Sequence, residues 1–358
     1  MDKASAGAVS DLIMSNPIDA VAFFNCHNLR YLCGFTGTDG VLLAWQDGAQ
    51  FLTDSRYVSQ AREQVAATEV REYQTKLEGV TEALVSAGIK RVGFDADVLT
   101  YSQVEQLRKH AKGRLEWVAL GKAVQRLRCR KTVAEADQLA AAARLAAQVF
   151  QSVVSEIRPG QTEIQLARDL EVALLQAGGE EKAFDFIVAS GVRGALPHGV
   201  ASPKQLSEGE LVTIDYGVRL NGYYSDETVT LALGNIPSKM REIFDIVLTA
   251  HDRALDRLRP GMKLSELDAC ARDYIAAKGY GDYFGHGLGH GVGLEVHEFP
   301  AVSPRSEDVV EEGMVLTIEP GIYLPGEGGV RIEDMVYVTA DGGRILTELP
   351  KHYRNLLS

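Results

Sequence analysis

Apolar residues follow two rhythms along this chain, and the change of rhythm divides it. In the first third, apolar runs of strand length alternate with polar turns: Asp19–Phe24, Val41–Trp45, Gln50–Thr53 and Arg91–Asp95. Gly34, Gly37 and Gly40 punctuate this stretch, so Tyr31–Cys33 also reads as a short strand. Asp54 is expected to cap a helix that begins near Tyr57. Strands separated by helical segments predict an α/β domain with a mixed sheet over residues 1–125.

Beyond the Lys122–Lys131 stretch, apolar residues recur at helical spacing from Ala134 to about Glu156. Further helices are predicted over Glu163–Ala177 and Ser265–Lys278, closed by Gly178-Gly179 and by Gly279. Residues 126–358 then form a second domain whose pattern repeats. Glu156-Ile-Arg-Pro-Gly160 returns as Arg257-Leu-Arg-Pro-Gly261, 101 residues on. Ser207-Glu-Gly-Glu-Leu-Val-Thr-Ile-Asp215-Tyr-Gly217 returns as Glu311-Glu-Gly-Met-Val-Leu-Thr-Ile-Glu319-Pro-Gly321, 104 residues on. Helix, Arg-Pro-Gly, helix, glycine, histidine segment and acidic strand thus occur twice in one order. A duplicated α+β unit folded about a pseudo-twofold axis follows, with one acidic strand from each half at its centre.

Composition narrows the partners. Of 358 residues, 46% are apolar and 24% charged, as in a globular protein long enough for two domains. A net charge of -12 argues against a nucleic-acid or anionic-membrane partner. Cys26, Cys33, Cys129 and Cys270 form no C-x-x-C pair, which points to free, mostly buried thiols in a reducing compartment. The sequence shows neither a signal-peptide pattern nor an apolar run of membrane length, so a cytoplasmic location is expected.

The acidic strands hold the candidate chemistry. Asp215 and Glu319 end apolar runs, where a carboxylate is costly unless something pairs with it. A second acid follows each: Asp226 eleven residues later and Glu333 fourteen residues later. Both lie in segments that read as hairpin returns, Tyr223–Asp226 and Gly328–Glu333. Four carboxylates gathered together would repel or stay protonated, and two divalent cations would neutralise them. A histidine is the expected remaining ligand. Gly285–Gly293 is too rich in glycine for a helix. As an extended strand it sets His286 and His290 on one face and His297, at an odd offset, on the other. His198 sits in a comparable segment; His27, His110, His251 and His352 do not, and take no role.

Together, Ala195-Leu-Pro-His198-Gly, Ile214-Asp215-Tyr-Gly, Ser225-Asp226-Glu-Thr228, His286-Gly-Leu-Gly-His290-Gly-Val-Gly-Leu-Glu-Val-His297-Glu, Thr317-Ile-Glu319-Pro-Gly-Ile-Tyr323 and Gly329-Val-Arg331-Ile-Glu333-Asp resemble the pita-bread metallopeptidases. The resemblance is to the Xaa-Pro peptidase branch, which contains aminopeptidase P and prolidase. It covers the whole chain, because Asn28–Gly37 and Thr53–Tyr57 resemble elements of that branch's creatinase-like N-terminal domain. It implies that Asp215 binds one metal, that Asp226 and Glu333 bridge both, and that His290 and Glu319 bind the other. Glu319 is the implied proton shuttle, and His198 and His297 the implied hydrogen-bond partners of the reacting peptide. His286, Tyr323 and Arg331 are implied to shape the substrate cleft or support the ligands; a purely charge-balancing Arg331 and a purely packing Tyr323 remain open. The implied cofactors are two divalent ions, with Mn2+ ahead of Co2+ or Zn2+. The implied substrates are peptides with proline at the second position, and the implied assembly is a homodimer.

Two departures qualify the resemblance. Val229 stands where many relatives carry arginine, which implies a charge missing beside the ligands. Ala301 stands where prolidases carry an arginine for the dipeptide carboxylate. That favours an Xaa-Pro aminopeptidase over an Xaa-Pro dipeptidase, with Arg305 as a substitute clamp. A methionine aminopeptidase usually lacks so large an N-terminal domain. A creatinase-like amidinohydrolase does not use the five ligands, and a catalytically silent peptide-binding module loses them.

Overall fold

A computed structural model describes residues 3–65 and 69–357. The chain divides into two compact units, the first running to Arg128 and the second beginning at Cys129.

The first unit is built on a six-stranded sheet in the order Glu69–Glu72, Gly48–Thr53, Val41–Trp45, Ala20–Phe23, Arg91–Phe94, Glu116–Ala119, with both parallel and antiparallel neighbours. Strand alternation sorts the central side chains between two apolar layers. Val41 and Leu43 join Val80, Leu84 and Leu107 on one face, while Leu42 and Ala44 join Leu29, Leu32 and Phe51 on the other. Because both faces are covered, these strands read as unbroken apolar runs. Tyr31–Cys33 is not a strand; it ends the helix Cys26–Cys33. The Asn25 side chain accepts from the His27 N–H at one end, and Gly34, at φ 78°, closes the other. Nor does Asp54 cap the following helix, Val58–Gln64, whose N-cap position is Tyr57. The Asp54 carboxylate instead accepts from the backbone N–H and the guanidinium of Arg56.

The second unit carries the duplication. Helices Val133–Val154 and Glu163–Gln176 pack on a sheet ordered Glu227–Leu233, Glu210–Tyr216, Ile187–Ser190, around Phe150, Leu170, Val212 and Ile214. Helices Ser238–Arg257 and Leu264–Ala277 pack on a sheet ordered Glu298–Val302, Gly289–Gly291, Val315–Ile318, Asp334–Thr339, Gly342–Ile345, around Phe244, Leu267, Leu316 and Val336. In each half the second helix follows Arg-Pro-Gly, and the two glycines, Gly160 and Gly261, adopt φ 89° and 87°. Matching left-handed backbone at matching positions is what a duplicated unit requires. The result is the pita-bread fold.

In both halves the acidic strand is one arm of a long hairpin broken midway. Glu210–Tyr216 pairs with Glu227–Leu233, and beyond the break Val218–Leu220 pairs with Tyr223–Tyr224. Val315–Ile318 pairs with Asp334–Thr339, and beyond the break Gly321–Leu324 pairs with Gly328–Arg331. Gly217 sits at the first break, where a Cβ would lie 1.9 Å from the Ser225 carbonyl oxygen. None of the four cysteines forms a disulfide; Cys33 and Cys129 are buried and Cys26 and Cys270 half-buried. Among the described residues, no helix is long and apolar enough to cross a membrane.

Candidate metal centre

The two breaks bring the acids together. Asp215 pairs in register with Thr228, and the same frame sets Asp226 opposite Gly217. In the second half the frame shared by Ile318↔Asp334 and Gly321↔Arg331 sets Glu319 opposite Glu333. Asp215 and Glu319 therefore hold equivalent places. Their return acids do not: Glu333 takes the place of Thr228, and Arg331 takes the place of Asp226. The return acid follows eleven residues after Asp215 but fourteen after Glu319; the longer turn (Pro325–Glu327 against Asn221-Gly222) takes up one of those three residues, and the other two carry Glu333 past the Asp226 place to that of Thr228.

Arg331 organises the floor of the site. It is buried, and its Nη2 donates to Asp215 Oδ2 at 2.6 Å. Nη1 donates to the Tyr323 hydroxyl and to the Pro197 carbonyl, each at 3.0 Å, and Nε to Thr228 Oγ1 at 3.2 Å. Thr228 in turn donates to Glu333 Oε2 at 2.6 Å. The Tyr323 hydroxyl lies 2.8 Å from His286 Nε2. His290 Nδ1 lies 3.1 Å from its partner, the Gly291 carbonyl. That bond requires the proton on Nδ1 and leaves the Nε2 lone pair free as a ligand. Nε2 lies 3.4 Å from Glu319 Oε1 and 3.6 Å from Asp226 Oδ2. Thr317 Oγ1 accepts from the His290 N–H at 3.0 Å and donates to Glu319 Oε1 at 3.2 Å.

The electrostatics are those of a site short of positive charge. Burial, then the adjacent Glu333, Asp215 and Glu319 carboxylates, hold the Asp226 carboxyl well above the usual range. Burial, then Glu319 and Asp215, do the same to Glu333. Burial pushes Glu319 up to about 8 against the opposing pull of Arg331. Burial pushes His290 down to about 3 and His286 down to about 4, so both imidazoles are neutral. Asp215 Oδ1 is buried without a hydrogen-bond partner. Donor atoms of Asp226, His290 and Glu333 lie within 4.8 Å of one another. Clustered carboxylate oxygens with one neutral imidazole fit divalent cations.

Above the acids is a cleft of about 440 Å³, walled by His198, His286, His297 and the apolar side chains Phe184, Ile187, Pro197, Val200 and Val302. This volume suits a small ligand. Of the ten residues given ligand, catalytic or substrate roles in the sequence, all except Tyr323 line it, and Tyr323 reaches it through His286 and Arg331. The placement of His297 differs from expectation. Its ring centroid is 4.2 Å from that of His290, on the same side. The chain bends through residues 293–297, and the pairing shifts register between His290 and Gly291, so strict alternation fails. His286 sits in a bend before the short strand Gly289–Gly291, not within an extended run.

The two departures resolve differently. Val229 packs in the apolar core with Phe150 and Leu170, on the opposite face of its strand from Thr228, and the charge beside Asp215 comes from Arg331. Ala301 does line the cleft, next to Val302 and Ser303, whereas Arg305 does not. Sequence reasoning passed over Thr228 and Thr317, whose hydroxyls hydrogen-bond Glu333 and Glu319, with Thr317 also accepting from the His290 N–H. The usable signal was hydroxyls on the acid-bearing face of otherwise apolar strands.

The chain matches metallopeptidase family M24 over residues 137–340 and the creatinase/prolidase N-terminal domain over residues 8–130. It is 39% identical to an Xaa-Pro dipeptidase of Pyrococcus horikoshii, across 95% of each chain. It superposes on an Xaa-Pro dipeptidase from Bacillus anthracis with a TM-score of 0.95 and 42% identity, covering 98% of each chain. An X-Pro aminopeptidase from Thermotoga maritima gives a TM-score of 0.87 and 35% identity, over 96% of this chain and 99% of that one. A metal-dependent peptidase is therefore the class that the fold and site define. The chain belongs to metallopeptidase family M24, in its branch with a creatinase/prolidase N-terminal domain.

Proposed function

We propose that this enzyme hydrolyses the peptide bond between a first residue and proline, acting chiefly as an Xaa-Pro dipeptidase. The observation that carries the reading is the convergence of Asp215, Asp226, Glu319, Glu333 and His290 under one peptide-sized cleft. The relatives' names favour the dipeptidase over the Xaa-Pro aminopeptidase that the sequence alone favours. Ala301 keeps the second reading alive, since no guanidinium stands there to hold a dipeptide carboxylate.

Asp215, Asp226, His290, Glu319 and Glu333 would hold two divalent ions, with Mn2+ the preferred metal. Such ions supply Lewis acidity and a water of lowered pKa. Glu319 carries the proton from the attacking water to the leaving proline nitrogen. That nitrogen has no hydrogen of its own to donate, so a cleft for it cannot rely on the contact general peptidases make. His297 and His198 hydrogen-bond the carbonyl oxygen as it gains charge. Phe184, Ile187, Val200 and Val302 receive the apolar parts of the substrate and exclude water. We further assign the enzyme to the cytoplasm as a homodimer, which light scattering at twice the chain mass checks.

A panel of Xaa-Pro dipeptides and Xaa-Pro-Yaa tripeptides, assayed with Mn2+, Co2+ and Zn2+ in turn, tests this reading. Dipeptides should be the better substrates. Cleavage of tripeptides in preference to dipeptides would return the assignment to aminopeptidase, and no cleavage before proline under any metal would end it.

A further inference from the structure

Behind the metal centre lies a second buried ionic cluster that the chemistry above does not use. Each return acid is followed by another: Asp226 by Glu227, and Glu333 by Asp334. Successive strand residues face opposite ways, so the second acid of each pair points away from the cleft. There Lys351 Nζ lies 2.5 Å from Glu227 Oε1 and 3.2 Å from Asp334 Oδ1, with all three side chains buried. The Leu349 N–H donates to Glu227 Oε1 at 3.2 Å, the Thr347 hydroxyl donates to Asp334 Oδ1, and His251 Nε2 lies 3.1 Å from Asp334 Oδ2.

The arrangement spans the two halves. Glu227 opens a strand of the three-stranded sheet and Asp334 opens a strand of the five-stranded sheet; among the described residues no β-ladder joins those two strands. On the cleft side the pair is tied by Thr228 to Glu333 and by the Glu333 N–H to the Thr228 carbonyl at 3.2 Å. On the far side the tie is Lys351. A buried ammonium between two carboxylates holds both tightly, because losing it would strand their charge. The backbone between neighbouring residues is short and stiff, so what fixes Glu227 and Asp334 also fixes Asp226 and Glu333.

We propose that Lys351 is a positioning residue for the metal centre: by cross-linking Glu227 and Asp334, it sets the spacing of Asp226 and Glu333. The inference rests on the assignment of Asp226 and Glu333 as metal ligands.

The test uses the full chain, stripped with chelator and titrated with Co2+. Bound ions are counted by equilibrium dialysis, and the visible absorption of the metal is recorded. Wild type should bind two ions. Lys351→Met should bind at least one of them about 10- to 100-fold more weakly, the scale for losing support behind metal ligands. Its Co2+ spectrum should shift, and kcat should fall with KM little changed. Lys351→Arg, which keeps the charge, should recover part of the affinity. Two ions bound by Lys351→Met with wild-type affinity and an unchanged spectrum would overturn the proposal. Should far-UV circular dichroism show Lys351→Met unfolded, Glu227→Gln decides by the same titration: it keeps the ammonium on Asp334 and loosens one arm. Weakened binding there supports the cross-link, and unchanged binding overturns it. A wild type that binds fewer than two ions would instead defeat the dinuclear reading itself.

Discussion

Arg331 Nη2 lies 2.6 Å from Asp215 Oδ2, and both residues are buried. The same guanidinium also serves Tyr323, Pro197 and Thr228, so four of its five N–H donors are committed to the protein. Lysine offers one point charge and cannot span four partners. Arg331→Lys should therefore lower metal retention and reduce kcat about 10- to 100-fold, with KM nearly constant. Steady-state kinetics with metal analysis checks this. A large rise in KM at normal metal content would make Arg331 a substrate contact.

Glu319 faces Glu333 across the hairpin break and also approaches His290. Glu319→Gln retains an oxygen ligand and loses the proton carrier. Its kcat for proline release should drop about 10²- to 10⁴-fold, the usual scale for general acid–base catalysis. Near-normal turnover would remove Glu319 from the mechanism.

His297 stands beside His290 on the cleft wall and is itself exposed. His297→Ala should cost about 10²- to 10³-fold in kcat, as loss of an oxyanion donor does. Metal content by atomic absorption should stay at the wild-type level. Loss of metal would show His297 to be a ligand.

The acid cluster predicts how stability depends on pH. Burial raises the Glu319 carboxyl from 4.5 to about 8, and Asp226 and Glu333 shift the same way. A proton held more tightly by the folded chain stabilises it fully below the ordinary value, and that contribution is lost as pH rises through the folded value. The thermal midpoint of metal-free protein should therefore fall between about pH 5 and about pH 8. Added Mn2+ should flatten or reverse the fall, because it binds the deprotonated carboxylates. Calorimetry with and without chelator measures both curves. A metal-free midpoint that climbs through this window would contradict the clustering.

The duplication and its acids were legible because a carboxylate at the end of an apolar run is costly, and two such runs in one order are hard to mistake. The helices announced by glycine stops were equally plain. Register was not. Asp226 and Glu333 read as equivalent in the sequence, but the ladders set Glu333 two places further along its return strand, in the place of Thr228. His297 was assigned to the wrong side because alternation presumes a regular strand, and this one shifts register after His290. Tyr31–Cys33 misled for a local reason: the Asn25 cap and the Leu29–Leu32 spacing outweigh the strand-forming character of three residues. The edge strand Glu69–Glu72 mixes charge with apolar residues and offers no apolar run to find. Nothing in the sequence ties Lys351 to its partner Glu227, which is 124 residues away.

The two-place displacement of the return acid between the hairpins has an electrical consequence. Where the first half presents Asp226, the second presents Arg331, so an acid on one side of the pseudo-twofold is answered by a base on the other. The backbone is nearly symmetric and its field is not. Two cations bound in such a setting would not be equivalent. The one that Asp215 would hold would share its carboxylate with the Arg331 guanidinium, so its grip should be the weaker. Graded chelation should accordingly remove the ions in two separate steps, and a half-loaded enzyme should be a preparable species.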